Sequence, residues 1–104
     1  MDYENITHEG TLEKIFYSEQ IKPEDTGHEI IAPEGLITET RIEIKLANGG
    51  SYSSPILAEV PKSAVGKKVV LKESLKTQGA KTTMSQELQI EGLEPILTSL
   101  QYKN

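Results

Sequence analysis

The sequence predicts an all-β or mainly β domain. The architecture expected is a small antiparallel barrel of about five strands, OB-like or SH3-like, with a short C-terminal helix. Three observations carry that expectation. Residues 36–47 alternate cleanly, with Ile42, Ile44 and Leu46 on one side and Arg41, Glu43 and Lys45 on the other, as a half-buried antiparallel strand requires. Asn48-Gly49-Gly50 follows, a run that tolerates positive φ and signals a hairpin. Further short apolar runs recur between polar turns, with no convincing crossover helix between them. At 104 residues the chain has room for one domain with one modest core.

Residues 1–10 read as an irregular N-terminal arm closing at Gly10. The stretch Thr11–Tyr17 holds Leu12, Ile15 and Phe16 at helical spacing, but Thr, Ile, Phe and Tyr in quick succession after a glycine favour a strand. Residues 18–35, punctuated by Pro23, Gly27, Pro33 and Gly35, read as a long connection and a candidate binding loop; Glu29–Ala32 forms a short edge strand within it. After the glycine turn, Ser51–Val60 returns with Ile56, Ala58 and Val60 inward. Pro55 lacks an amide proton, which places that strand at an edge or a bulge. Residues 61–66 form a turn. Lys67–Leu75 is a strand with Val69 and Leu71 on one face and Val70, Lys72 and Ser74 on the other; residues 77–83 form a polar loop. Met84, Leu88 and Ile90 alternate with Ser85, Glu87, Gln89 and Glu91 in a last strand ended by Gly92. In the tail, residues 93–104, Leu93, Ile96, Leu97 and Leu100 have the i, i+3, i+4, i+7 spacing of an amphipathic helix, with Pro95 in its first turn.

Composition narrows the function. There is no cysteine, hence neither a disulfide framework nor a thiolate metal site. No apolar run reaches membrane-spanning length and none follows the charged start, so a cytoplasmic location and no membrane partner are expected. The net charge of −5 is uneven: residues 1–61 hold 4 basic and 12 acidic side chains, whereas residues 62–81 hold six lysines against Glu73 alone. The plainer reading of those lysines is a solvated strand balancing acidic neighbours across a sheet. The sharper one is a local anion contact.

Chemistry is poorly represented. Gly79-Ala80-Lys81-Thr82-Thr83 lacks both glycines that a phosphate loop needs. His8 and His28, each followed by glutamate, read as exposed loop histidines, because nothing in the spacing makes them converge with carboxylates such as Asp25 on a metal. Ser53, Ser54 and Ser63 have no base partner beyond those histidines. No catalytic residue, metal or cofactor is therefore expected, and a non-enzymatic binding domain with a protein partner is the leading expectation. Its candidate interface is Leu57, Val70, Leu93, Ile96, Leu97 and Leu100, from an edge strand, an outward strand face and the apolar tail. The alternative is a single-stranded nucleic-acid binder, with Lys67, Lys68, Lys72, Lys76 and Lys81 as cations and Tyr17 and Tyr52 as stacking platforms. Aromatics are few, four Tyr and one Phe, and Phe16 or Tyr17 is expected in the core. The sequence assigns no oligomeric state.

Overall fold

The structure is a computed structural model that describes residues 2–23, 29–32 and 37–103. It is mainly β: β1 Asp2–Ile21, β2 Glu29–Ala32, β3 Ile37–Leu46, β4 Ser51–Ile56, β5 Lys68–Gln78, β6 Lys81–Ile90 and β7 Ile96–Lys103. A single 3₁₀ turn, Lys62–Ala64, lies between β4 and β5. All ladders are antiparallel, and the strand order is β2-β7-β6-β5-β1-β3-β4. Seven strands replace the five expected. The ladder order is linear, and no pairing joins β4 to β7 or β2 among the described residues.

β1 organises the molecule. Its first half, Asp2–Thr11, pairs with β5, and its second half, Gly10–Ile21, pairs with β3. Residues 1–10 are therefore not an irregular arm, because β5 offers them a full antiparallel ladder from Thr77 to Lys68. The strand expected at residues 11–17 is the middle of this longer one. Gly10 sits where the strand changes partners and faces both Leu46 and Val69. A Cβ there would lie 2.1 Å from the Lys45 carbonyl oxygen, so only glycine lets β3 approach so closely. Two register shifts follow, between Leu12 and Lys14 and between Ile15 and Tyr17. Bulges of this kind bend a strand and increase its twist. The sheet accordingly coils so that one face encloses a core of Leu12, Ile42, Ile44, Ile56, Val60, Ala64, Val69, Leu71, Leu88 and Ile90.

The expected hairpins are present. Gly49 has φ +91°, Gly49 N–H donates to the Leu46 carbonyl, and the Asn48 side chain accepts from Gly50 N–H. The loop expected over residues 77–83 shrinks to Gly79-Ala80, because Gln78 already pairs with Lys81. Gly79 alone has positive φ, as in a II′ turn.

The C-terminal helix is not seen. Ile96–Lys103 is strand β7, paired with β6 along its length. Spacing of four, as between Ile96 and Leu100, satisfies periods of 2 and 3.6 alike, and an apolar run this short cannot decide between them. The open β6 ladder settles the choice, placing Ile96, Thr98 and Leu100 on the inner face and Leu97 on the outer one. Phe16 and Tyr17, one of which was expected in the core, are both more than a third exposed.

Candidate functional site

Cross-strand register arranges the inner face in rows. His8, Leu71, Leu88 and Ile96 form one row, and Ile6, Glu73, Gln86 and Thr98 form the next. Beyond them lie Glu4, Leu75, Met84 and Leu100. A polar row thus borders the hydrophobic core, and it faces Tyr52, whose side chain points inward from β4.

Gln86, 3% exposed, is the centre of that row. Its Nε2 donates to the Pro55 carbonyl at 2.8 Å and to Glu73 Oε2 at 3.3 Å. Its Oε1 accepts from Leu57 N–H and from the Thr98 hydroxyl, each at 3.2 Å. A glutamine amide offers two donors and two lone pairs, and here all four are used. Because Pro55 C=O and Leu57 N–H point away from β3, Gln86 stands in for the strand that β4 lacks. Pro55 itself has no N–H to offer, so this end of the edge is closed to strand addition.

Beside Gln86, the Tyr52 hydroxyl donates to Glu73 Oε1 at 2.7 Å, and the Tyr52 ring stacks on His8 with centroids 3.7 Å apart. His8 Nε2 lies 3.7 Å from Glu73 Oε1, and it is buried without a hydrogen-bond partner. The side chains of His8 and Glu73 are 18% and 20% exposed. Burial pushes the Tyr52 hydroxyl above its ordinary value of 10.0, and the hydrogen bond to Glu73 and that carboxylate's charge add to the rise. His8 is therefore a strand residue in a packed layer and not an exposed loop histidine. His28 and Asp25 lie outside the described residues, as do residues 24–28 and 33–35 of the candidate binding loop; its residues 18–21 belong to β1, because β3 extends the ladder to Ile21, and Glu29–Ala32 is β2. Among the described residues no three His, Cys, Asp or Glu side chains are grouped to hold a metal ion.

The second feature is the seam left by the open sheet. Among the described residues β2 covers β7 only from Gln101 to Lys103, so that Ile96–Leu100 has β6 on one side and no described strand on the other. A groove of about 360 Å³ runs beside that free half, lined by Leu97, Thr98, Ser99 and Leu100 and, across the gap, by Ile37 and the segment Leu57–Glu59. Three expected interface residues, Leu57, Leu97 and Leu100, meet here. Leu97 is 71% exposed and Leu100 is buried. Leu93 is exposed in the turn before β7, where its N–H donates to the Ile90 carbonyl. Ile96 packs against the core, and Val70 lies on the outer face of β5, away from the groove.

The lysines separate from their expected aromatic partners. Register puts Lys68, Lys72, Lys76 and Lys81 on the outer face of β5 and β6, where Lys72 lies between Thr7 and Glu87. Lys67 precedes the strand, and its carbonyl accepts from Leu12 N–H. Tyr52 is on the opposite face of the sheet. Tyr17 is on the β3-paired half of β1, where its hydroxyl donates to Glu39. Sequence reasoning missed a further apolar surface formed by Phe16, Val60, Pro61 and Val65. Its only signal was Phe16, whose outward aim depends on the bulges in β1. Sequence reasoning also missed Gln86, whose partners Pro55 and Leu57 are remote along the chain.

Among the described residues, no helix is long and apolar enough to cross a membrane. No protein-family model matches the chain, and no curated protein or solved structure is significantly similar to it.

Proposed function

We propose that the chain is a non-enzymatic binding domain that takes an extended segment of a partner protein as an added strand along Ile96–Leu100 of β7. One observation carries this reading: among the described residues Ile96–Leu100 pairs with β6 alone, and its other side borders a groove that brings together Leu57, Leu97 and Leu100. Main-chain hydrogen bonds to β7 would supply affinity, and the groove would select apolar side chains at alternate positions. The seam has the place of a missing strand, so the partner would bring the sheet towards the closed barrel that the strand pattern suggests. On the opposite edge, β4, Pro55 and the Gln86 amide block the end at Pro55 and Leu57 and leave a shorter run for strand addition.

The test is selection of heptapeptides from a random library on the full chain, followed by fluorescence anisotropy of the labelled peptides. Selected peptides should alternate apolar residues, and Leu97→Lys should weaken them at least tenfold. Because Leu97 is exposed, the same change should alter stability by no more than about 0.5 kcal/mol. Peptides that bind the Leu97→Lys variant as tightly as the parent would sink this reading.

One observation favours a second reading, single-stranded nucleic-acid binding: four lysines share the outer face of β5 and β6. Neither Tyr17 nor Tyr52 accompanies them there, so the contact would be mainly electrostatic and steeply salt-dependent. Anisotropy of labelled single strands at low and physiological salt separates the two readings. Replacing Lys68, Lys72 and Lys76 together would abolish this binding and leave the peptides unaffected.

A further inference from the structure

A small cavity of about 160 Å³ opens on the inner face beyond the polar row, lined chiefly by Ile6, Leu75, Met84, Tyr52, Glu73 and Glu4. We propose that it binds an organic ammonium ion with a short apolar body. The site is separate from the β7 seam and does not depend on the partner-strand reading.

The charge balance comes first. Glu73 is four-fifths buried, and its hydrogen-bond donors, the Tyr52 hydroxyl and the Gln86 amide, are both neutral. Among the described residues no lysine or arginine forms an ion pair with it; its one ionisable partner is His8, whose Nε2 lies 3.7 Å away without a hydrogen bond and pairs with it as an ion only when the imidazole is protonated. A carboxylate withdrawn from water beside a neutral imidazole lacks a counter-ion, which is costly, and an ammonium in the adjoining cavity would offset that cost. Glu4 adds a second carboxylate at the rim, and no cationic side chain lines the cavity.

The walls define the rest of the ligand. Ile6 is 48% exposed although it faces inward, and Leu75 is also more than a third exposed, so an apolar body would cover both. Tyr52 is held by His8 against one ring face and by Glu73 at its hydroxyl, which fixes an aromatic wall suited to a cation–π contact. The volume equals roughly five liquid-water volumes of about 30 Å³ each, enough for an ion the size of n-butylammonium.

The experiment is a titration of the ¹⁵N-labelled full chain with n-butylammonium chloride, followed by amide chemical shifts, with n-butanol and sodium chloride as controls. Saturable shifts are expected at Ile6, Tyr52, Glu73, Leu75 and Met84, with n-butanol at least tenfold weaker. Glu73→Gln should cost at least tenfold in affinity while its dispersed spectrum shows the fold intact. Should that variant not fold, Ile6→Lys serves instead. Position 6 faces Glu73 across the ladder, and a tethered ammonium there should abolish the titration. No saturable shift, an equal response to n-butanol, or unchanged affinity in a folded variant would overturn the proposal.

Discussion

At the scale of single residues, the Tyr52–Glu73 pair makes a prediction through its pH dependence. The folded state holds the Tyr52 hydroxyl above 10.0, through burial first and then its bond to Glu73, while Ser54 pulls weakly the other way. Below pH 10 the hydroxyl is protonated whether the chain is folded or unfolded, and its contribution to stability is fully present. As pH rises past 10 the unfolded chain ionises first, so that contribution is lost on the way to the folded-state value. Urea midpoints measured between pH 8 and 11 should therefore fall above 10, and Tyr52→Phe should flatten part of that fall. Equal slopes in the two proteins would show that Tyr52 is not the group responsible. The residue also shows where sequence reading stops. Tyr52 sits in a strand whose course was legible, but its partners His8 and Glu73 are contributed by β1 and β5, and no spacing within β4 points to them.

At the scale of elements, Gln86 links β6 to β4, β5 and β7 through one side chain. Gln86→Ala would leave the Pro55 carbonyl, the Leu57 N–H and the Thr98 hydroxyl without this partner at a buried seam. Each unsatisfied buried group costs about 1–3 kcal/mol, less where water enters. A loss of about 2–4 kcal/mol in urea unfolding is expected; a loss below about 1 kcal/mol would mean the seam holds without it. The elements themselves were unevenly legible. β3 was plain because both of its faces meet contrasting surroundings, core on one side and solvent on the other. The first half of β1 was not, because its inward positions are Glu4, Ile6, His8 and Gly10, residues that serve the polar row and the strand crossing and not the core. β7 was misread because Ile96 and Leu100 fit two periods equally well, and only the waiting β6 ladder separates them.

At the scale of the whole molecule, the topology joins residues far apart in the chain. Asp2 meets Thr77 and Thr11 meets Lys68, so the central ladder must close long loops before it gains any hydrogen bonds. Proteins dominated by such pairings fold in milliseconds to seconds, slower than helical proteins of similar size. Stopped-flow refolding from urea should show relaxation in that range, and a microsecond phase carrying the full amplitude would contradict it. Fold class was readable from the strand pattern, but openness was not: it depends on whether β4 and β7 meet, which the bend in β1 decides.

The two ends of the sheet are also unlike, and that limits how copies of the chain can associate through them. Runaway polymerisation by strand stacking needs a receptive border at each end of every subunit. Here Pro55 and the Gln86 amide close the Pro55–Leu57 end of one border, while near the other Ile96–Leu100 pairs with β6 alone among the described residues. A ladder between two copies that both use Ile96–Leu100 is a symmetric pair, which occupies that border in each copy and offers it to no third.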